Sequence, residues 1–406
     1  MLKKIDKIIA LVMVLYLFCS FFNKFIAVIT MVFCILLMIR VLRDKRIVPI
    51  ILSVIVLGLL FYNYFISRQY FILELEVLSN KPNIEYLIRM ITFIMMLYCF
   101  SDKEILIDIY NEFENYIDIV LGIVIIYQIV IGVFFITKQG FLERWGMTVF
   151  VGINGNPHGN SYVMILMAIV IEIIISKKDN RYLALYFIPL LSAFMSGART
   201  PAVVMAGIFL GIRCFKNKIK IRRKLRLTWK RLLIITGFLI IITICGNVLV
   251  DFILHSSIMD KFSSTSDSGN VLNSRDLIWN GLINEFKYNF SDIERVFGHG
   301  IHYSVIINMY NVNSPIWGHS DFIDILISYG MLMLAIYIVM YVRYFIKLWS
   351  IGGNALLIMV FFVGMVLLSI FNGVINYTVF ISAIAFWAMF YISIQDKDIN
   401  EGEGYE

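Results

Sequence analysis

Twelve apolar runs, most of them close to the length of a membrane-spanning helix, dominate this sequence of 406 residues. A helix needs roughly 20 mostly apolar residues to cross about 30 Å of hydrocarbon. With 60% hydrophobic and only 16% charged residues, a soluble fold would expose apolar surface on every side. The sequence therefore predicts an all-α polytopic integral membrane protein, a single membrane domain over residues 1–406 with about 12 transmembrane helices. The predicted spans are residues 8–22, 25–41, 47–66, 84–100, 117–137, 161–176, 182–196, 200–214, 232–250, 320–344, 355–372 and 374–394.

One long segment, residues 251–319, is too polar to lie in the bilayer and is predicted to form a large loop. Lys and Arg concentrate in the cytoplasmic connections of membrane proteins. With the N-terminus in the cytoplasm, most of the 35 Lys and Arg residues fall on the cytoplasmic side, and the alternation holds along the chain. This orientation predicts that both termini lie inside and that residues 251–319 lie outside the cytoplasm.

A basic run, residues 216–231, carries much of the net charge of +7. Such a run binds either nucleic acid or the anionic surface of a membrane. Because it lies between two predicted spans on the cytoplasmic side, membrane lipids are the expected partner and nucleic acid is not.

Several motifs that would indicate other chemistry are missing from the sequence. It contains no GxxxxGK[ST] phosphate loop, no HExxH or Cys/His zinc spacing and no GxSxG nucleophile turn. We therefore expect neither ATP-driven transport nor a metal or cofactor.

The connection before the predicted sixth span contains Gly155-Asn-Pro-His-Gly-Asn160, a cluster of turn formers and amides. Two interpretations stay open. The segment is either a tight, capped helix start, with Asn160 or Ser161 as N-cap, or a lip that contacts sugar or phosphate through Asn156, His158 and Asn160.

A second outer connection, Ser196-Gly-Ala-Arg-Thr-Pro201, places Arg199 at the end of a span. An arginine there either extends to lipid phosphate or meets an anionic ligand. The backbone N–H groups of the following helix favour an anion at the same point, so we predict an anion site around Arg199.

Residues 273–287 of the large loop have apolar residues at helical spacing. This pattern predicts an amphipathic helix that lies on the membrane or on the helix bundle. Arg275 falls in its first turn, where an arginine and free N–H groups suit a phosphate. An ion pair with Asp276 or Glu285 fits the spacing equally well.

His319 ends the loop, directly before the predicted tenth span. Asp321 and Asp324 follow it within one helical turn. A carboxylate near an imidazole can fix its tautomer and raise its basicity, as a general base requires. We predict His319 as the base and Asp321 as a substrate-binding neighbour.

Five short motifs, in this order, resemble the O-antigen polymerase and O-antigen ligase superfamily, which includes the Wzy-type polysaccharide polymerases. They are Gly155-Asn-Pro-His158, Ser196-Gly-Ala-Arg199, Ser274-Arg275 with Trp279, Val296-Phe-Gly-His-Gly300 and His319-Ser-Asp-Phe-Ile-Asp-Ile-Leu-Ile-Ser-Tyr-Gly330. The sequence departs from the family pattern at Ser320, where Asn is common, and at Pro201, where Gly is common.

The resemblance implies a metal-independent glycosyltransferase with a GT-C-like membrane fold in the bacterial plasma (inner) membrane. Its donor would be an oligosaccharide linked to a polyprenyl diphosphate such as undecaprenyl diphosphate, and its active site would lie on the extracytoplasmic side. The resemblance also implies that Arg199 and Arg275 would hold the diphosphate and that His319 would take a proton from the acceptor hydroxyl. A chain-length regulator protein is the expected partner.

The favoured hypothesis is a polymerase that extends a surface polysaccharide, such as a capsule, an O-antigen or an exopolysaccharide. One alternative is a ligase that transfers finished glycan to a lipid or wall acceptor. Another, from a different class, is a polytopic transporter or flippase. A transporter should carry charges near the middle of the membrane, and the main candidate, Glu172, lies near the cytoplasmic end of its predicted span.

Overall fold

The computed structural model describes residues 2–22, 24–44, 47–74, 84–144, 147–215, 275–351 and 355–402. This part of the chain is almost entirely helical, with one antiparallel hairpin, β1 (Phe141–Arg144) and β2 (Met147–Phe150). Its α-helices are α1 (Leu2–Phe22), α2 (Ile26–Arg43), α3 (Ile47–Glu74), α4 (Ile84–Cys99), α5 (Lys103–Glu114), α6 (Ile117–Ile136), α7 (Pro157–Lys177), α8 (Phe187–Met195), α9 (Arg199–Phe215), α10 (Arg275–Tyr288), α11 (Asp292–Phe297), α12 (Tyr303–Val312), α13 (Asp321–Ser350), α14 (Ala355–Phe371) and α15 (Thr378–Gly402).

Six helices in the described part of the chain are long and apolar enough to cross a membrane. They are α1, α2, α6, α7, α13 and the Pro49–Arg68 part of α3. Shorter apolar helices lie at Tyr86–Cys99, Leu356–Phe371 and Thr378–Ile394. By length and composition, this is the framework of a multi-pass membrane protein.

Individual predicted spans differ from the helices observed. The first begins at Leu2 instead of residue 8. The predicted span 182–196 is a 3₁₀ segment, Asn180–Tyr186, followed by the nine-residue helix α8. Pro189 lies in the first turn of α8, where its missing N–H is tolerated, and an α-helix of this length rises only about 14 Å. The predicted span 232–250 lies outside the described residues.

Helix α7 lies at the centre of the bundle. Nearly all its side chains from Asn160 to Ser176 are buried, on every face. A helix that is apolar all round is stable only when neighbours cover all its sides, and α15 packs along much of its length. The N-terminal end of α7 is therefore a fixed point from which a site can be built.

Helix α5 was not predicted, because it is too short and too polar for a span. Its N-cap is Asp102, whose side chain accepts from the Ile105 N–H at 3.3 Å. Asp108 on α5 bonds to Arg40 of α2 at 3.0 Å, and Arg40 also pairs with Asp6 of α1 at 2.6 Å. The ion pairs of this buried arginine thus link α1, α2 and α5.

The predicted amphipathic segment forms α10, and it packs on protein. Its Ile278 and Leu282 are buried with Phe290, with Ile307 of α12 and with Ile327 of α13. Since α13 is a candidate span, this small apolar cluster attaches the loop helices to the membrane bundle. The structure therefore favours the bundle over the lipid surface as the support for the buried face of α10.

Candidate functional site

Helix α13 is interrupted at Gly330, whose φ of 76° and ψ of −180° are not helical. The break frees carbonyl groups in the preceding turn, and buried carbonyls require new donors. The N–H of His299 donates to the Ile327 carbonyl at 3.2 Å. The N–H of Gly300 donates to the Ser328 carbonyl, also at 3.2 Å. Two of the motifs that carry the family resemblance therefore meet through their backbones.

This crossing explains why both segments contain glycine. A Cβ on Gly298 would lie 2.3 Å from the Ser328 carbonyl oxygen, and a Cβ on Gly330 would lie 2.4 Å from that of Val296. Both glycines have positive φ, which side chains disfavour. Asn63 of α3 completes the junction: it accepts from the Gly300 N–H at 3.1 Å and donates to the Phe297 carbonyl at 2.7 Å.

His319 lies in a tight turn just before α13, with a φ of 53° that is uncommon outside glycine. Asp324 holds this turn from the helix. Its carboxylate accepts from the Gly318 N–H at 2.9 Å and from the Ser304 hydroxyl at 2.7 Å. Asp324 therefore fixes the backbone that carries the imidazole.

A second bond holds the same turn from α10. The indole N–H of Trp279 donates to the Gly318 carbonyl at 2.7 Å. Trp279 lies one helical turn after Arg275, so a single rigid helix carries the arginine and contacts the residue before His319. The sequence suggested Trp279 only as part of a motif and gave no indication of this bond.

Arg275 is the first residue of α10 and is partly buried. Neither Asp276 nor Glu285 pairs with it, since no carboxylate of the described residues forms a salt bridge to its guanidinium. Burial, followed by repulsion from the charge of Arg199, lowers the pKa of Arg275. The ion-pair interpretation is therefore wrong for this part of the chain.

Arg199 begins α9, and its connection is bonded to the start of α7. The hydroxyls of Ser161 and Ser196 are 2.8 Å apart, and the Asn160 amide donates to the Ser192 hydroxyl at 2.9 Å. The Ser196 hydroxyl also accepts from the Ala198 N–H at 3.2 Å. These bonds set the position of the backbone from which Arg199 extends.

The structure brings Arg275 within electrostatic reach of both Arg199 and His319. Burial, and then the positive charge of Arg275, lower the pKa of His319 to about 4. Arg199 acts on Arg275 in the same way. Two cations and a neutral imidazole, drawn from three connections that together span residues 199–319 of the sequence, form a positive and partly buried group. Such a group is suited to an anion that offsets the repulsion between the arginines.

Asp321, the predicted substrate-binding neighbour of His319, is hydrogen-bonded within the protein. Asp321 is only 2% exposed. Its carboxylate accepts from the Tyr337 hydroxyl at 3.0 Å and from the N–H groups of Val374 and Ile375 at 3.1 and 3.2 Å. These bonds hold the start of α13 to the segment before α15, and Asp321 also lines a small cavity next to the His319 turn.

The Gly155–Asn160 segment also requires a correction. The N-cap of α7 is Asn156, which accepts from the His158 N–H at 2.9 Å, and Pro157 takes the first helical position. The prediction of Asn160 or Ser161 as N-cap is therefore wrong. Asn160 is fully buried, and its amide donates to the Ser192 hydroxyl, so it supports the Arg199 connection. His158 is half-buried at the helix start.

A cavity of about 40 Å³ lies next to the His319 turn and is lined by Trp317, Asp324 and His302, among others. The rings of Tyr86 and Trp317 flank the His302 imidazole, with centroids 4.3 and 5.0 Å away. This volume has room for a few water molecules, since one water needs roughly 10–15 Å³.

No protein-family model matches the chain, and no curated protein matches its sequence. The function is therefore inferred from the residues and their geometry.

Proposed function

We propose that the protein is a membrane glycosyltransferase that polymerises oligosaccharide repeat units linked to a polyprenyl diphosphate. In this proposal it has about twelve spans and a GT-C-like fold, and it works without a metal at the extracytoplasmic face of a bacterial plasma membrane. The product is a surface polysaccharide. The single observation that supports it most is the approach of Arg199, Arg275 and His319 from three separate connections.

The proposed reaction assigns each of these groups a separate task. The acceptor hydroxyl oxygen attacks the anomeric carbon of the donor sugar. The bond from that carbon to the phosphate oxygen breaks, and its electron pair stays on the diphosphate. Arg199 and Arg275 stabilise the negative charge that develops there, while His319 accepts the proton of the hydroxyl.

Donor binding and base strength are coupled in this arrangement. A histidine with a pKa of about 4 is neutral at pH 7 but is a weak base. A bound diphosphate offsets the charge of Arg275, which is one of the two causes of the low pKa. The imidazole thus becomes a stronger base when the donor is in place.

The proposal is tested with purified protein in lipid nanodiscs and a polyprenyl-diphosphate-linked repeat unit. We expect a ladder of polymer, with turnover reduced at least about 100-fold in Arg199→Ala, Arg275→Ala and His319→Ala. Lys287→Ala is the matched control, because Lys287 is an exposed cation at the other end of α10. Wild-type ladders from all three site variants would refute the proposed mechanism.

The same assay separates the rival functions. A ligase consumes finished glycan only when a lipid or wall acceptor is added, and it makes no ladder from repeat units alone. Excess chelator should leave the ladder unchanged, and a strict metal requirement would contradict metal-independent transfer.

A transporter or flippase gains less support from the charges inside the bundle. Glu172 is fully buried, forms an ion pair with Arg213 of α9 and accepts from the Tyr186 hydroxyl at 2.9 Å. A buried carboxylate neutralised in this way suits helix packing. Movement of labelled donor across the membrane without any ladder would favour the transporter.

A further inference from the structure

Tyr162 of α7 is fully buried, and its hydroxyl has no hydrogen-bond partner among the residues that the structure describes. Buried hydroxyl groups in proteins are nearly always bonded, because burial removes their bonds to water. An unbonded one at a fixed place in a bundle therefore needs an explanation. Packing alone would be served by phenylalanine.

The surroundings of Tyr162 connect it to the cationic group. Its phenol lies within electrostatic reach of Arg275. The preceding residue, Ser161, holds the Arg199 connection through Ser196 at 2.8 Å. Tyr162 is thus next to the backbone that positions Arg199 and within electrostatic reach of Arg275.

The ring of Tyr162 is held firmly by its neighbours. It contacts Tyr377 with centroids 4.5 Å apart, and Phe380 of α15 with centroids 5.4 Å apart. Both contacts come from the chain that packs along α7, so the direction of the phenol is set before any ligand arrives. A hydroxyl held in this way is preorganised to donate a bond without a further ordering cost.

We propose that the Tyr162 hydroxyl donates a hydrogen bond to a phosphoryl oxygen of the diphosphate held by Arg199 and Arg275. It keeps its proton, and it stabilises the negative charge left on the diphosphate when the bond to the anomeric carbon breaks. The hydroxyl is fully buried in this structure, so the bond forms only when a phosphoryl oxygen of the bound donor reaches it. This inference rests on the proposed function, to which it adds a third donor group.

Tyr162→Phe tests the inference, because it removes only the hydroxyl. We expect turnover to fall about 10- to 100-fold, the effect of losing one bond to a charged group. Binding of inorganic diphosphate to the purified protein should weaken several-fold. The melting temperature should stay the same or rise, since no bond of the unliganded protein is lost.

Tyr344→Phe is the matched control. Tyr344 is equally buried, but its hydroxyl donates to the Ile384 carbonyl at 2.7 Å. Its loss should lower the melting temperature and leave turnover and diphosphate binding near the wild-type values. Tyr162→Phe is therefore expected to lose activity and keep its stability, whereas Tyr344→Phe is expected to lose stability and keep its activity.

The outcomes separate this inference from the proposed function. If Tyr162→Phe turns over and binds diphosphate like the wild type while Arg275→Ala and His319→Ala lose activity, only the inference fails. A clear fall in the melting temperature of Tyr162→Phe also overturns it, because the hydroxyl would then have a structural partner. If Arg275→Ala and His319→Ala are both fully active, the proposed function itself fails.

Discussion

Trp279 and Gly318 are joined by a hydrogen bond of 2.7 Å from the indole N–H to the carbonyl oxygen. Trp279 belongs to the helix that Arg275 begins, and Gly318 directly precedes His319. The proposed phosphate-binding arginine and the proposed base are thus held by one helix and one bond. This bond can be removed with little change in shape.

Trp279→Phe should lower turnover roughly 10- to 100-fold, because small displacements of a catalytic group have effects of this size. The apparent affinity for the donor should change less, since both arginines remain. Steady-state kinetics with the lipid-linked repeat unit measures both quantities. Trp349→Phe is the control, because Trp349 is 54% exposed near the end of α13 that lies away from His319. Equal losses in the two variants would contradict a positioning role for Trp279.

The pH dependence of transfer should report the charges around His319. Burial and Arg275 lower the pKa of this histidine to about 4, so in the free protein it is neutral and can accept a proton at any pH above that value. The acid limb of kcat/KM should therefore lie near pH 4. The acid limb of kcat should lie at a higher pH, because the bound diphosphate raises the pKa of the imidazole.

Arg275→Gln supplies the comparison for this pH profile. Removing the positive charge should raise the pKa of His319 and move the acid limb of the residual kcat/KM to higher pH. Identical acid limbs in the variant and the wild type would show that Arg275 does not act on the base.

The crossing of Gly298 and Gly330 predicts a large effect on stability. Gly330→Ala places a methyl group 2.4 Å from the Val296 carbonyl oxygen, on a residue whose φ is positive. The change should lower the free energy of unfolding by at least about 3 kcal/mol. Gly207→Ala is the contrast, because nothing lies within 4 Å of the added atom. It should stabilise helix α9 by roughly 0.5–1 kcal/mol. Thermal unfolding in detergent measures both, and similar melting temperatures would contradict the predicted close contact.

Cysteine labelling tests the proposed orientation. Tyr288 of α10 is 78% exposed, and the side chain of Arg181, on the connection before α8, is 77% exposed. Tyr288→Cys should react with a membrane-impermeant maleimide in intact cells, whereas Arg181→Cys should react only after lysis. The unmodified chain controls for its own cysteines. The reverse pattern would place the large loop in the cytoplasm.

Hydropathy was sufficient to predict most of the long helices, because crossing a bilayer requires length and apolarity together. It failed where interactions other than burial of apolar residues decide the structure. Pro189 sets the start of α8, and the amphipathic helix α5 depends on capping and ion pairs. Hydropathy also does not single out Asn63, although a single amide inside an apolar run indicates a buried polar contact.

The sequence predicted that the site would involve Arg199, Arg275 and His319, and the structure places Arg275 within electrostatic reach of the other two. It could not assign the nearby carboxylates, since their spacing does not show which neighbours each one meets. Asp321 faces the segment before α15, whereas Asp324, three residues later, faces back to Gly318. Positions three apart lie only about 60° apart around a helix, so the packing around α13, and not the helical rotation, decides which carboxylate holds the turn.

The shared bonds between residues 298–300 and the interrupted part of α13 also limit the order of biogenesis. The carbonyl groups freed at Gly330 lie within a predicted span, where lipid offers them no donor. Their donors belong to a segment that leaves the ribosome earlier and that, in the proposed orientation, first crosses to the outer face. In the proposed orientation, the loop therefore completes its fold only after α13 has inserted, and the two freed carbonyl groups of α13 gain these donors only when the translocated loop returns to meet them.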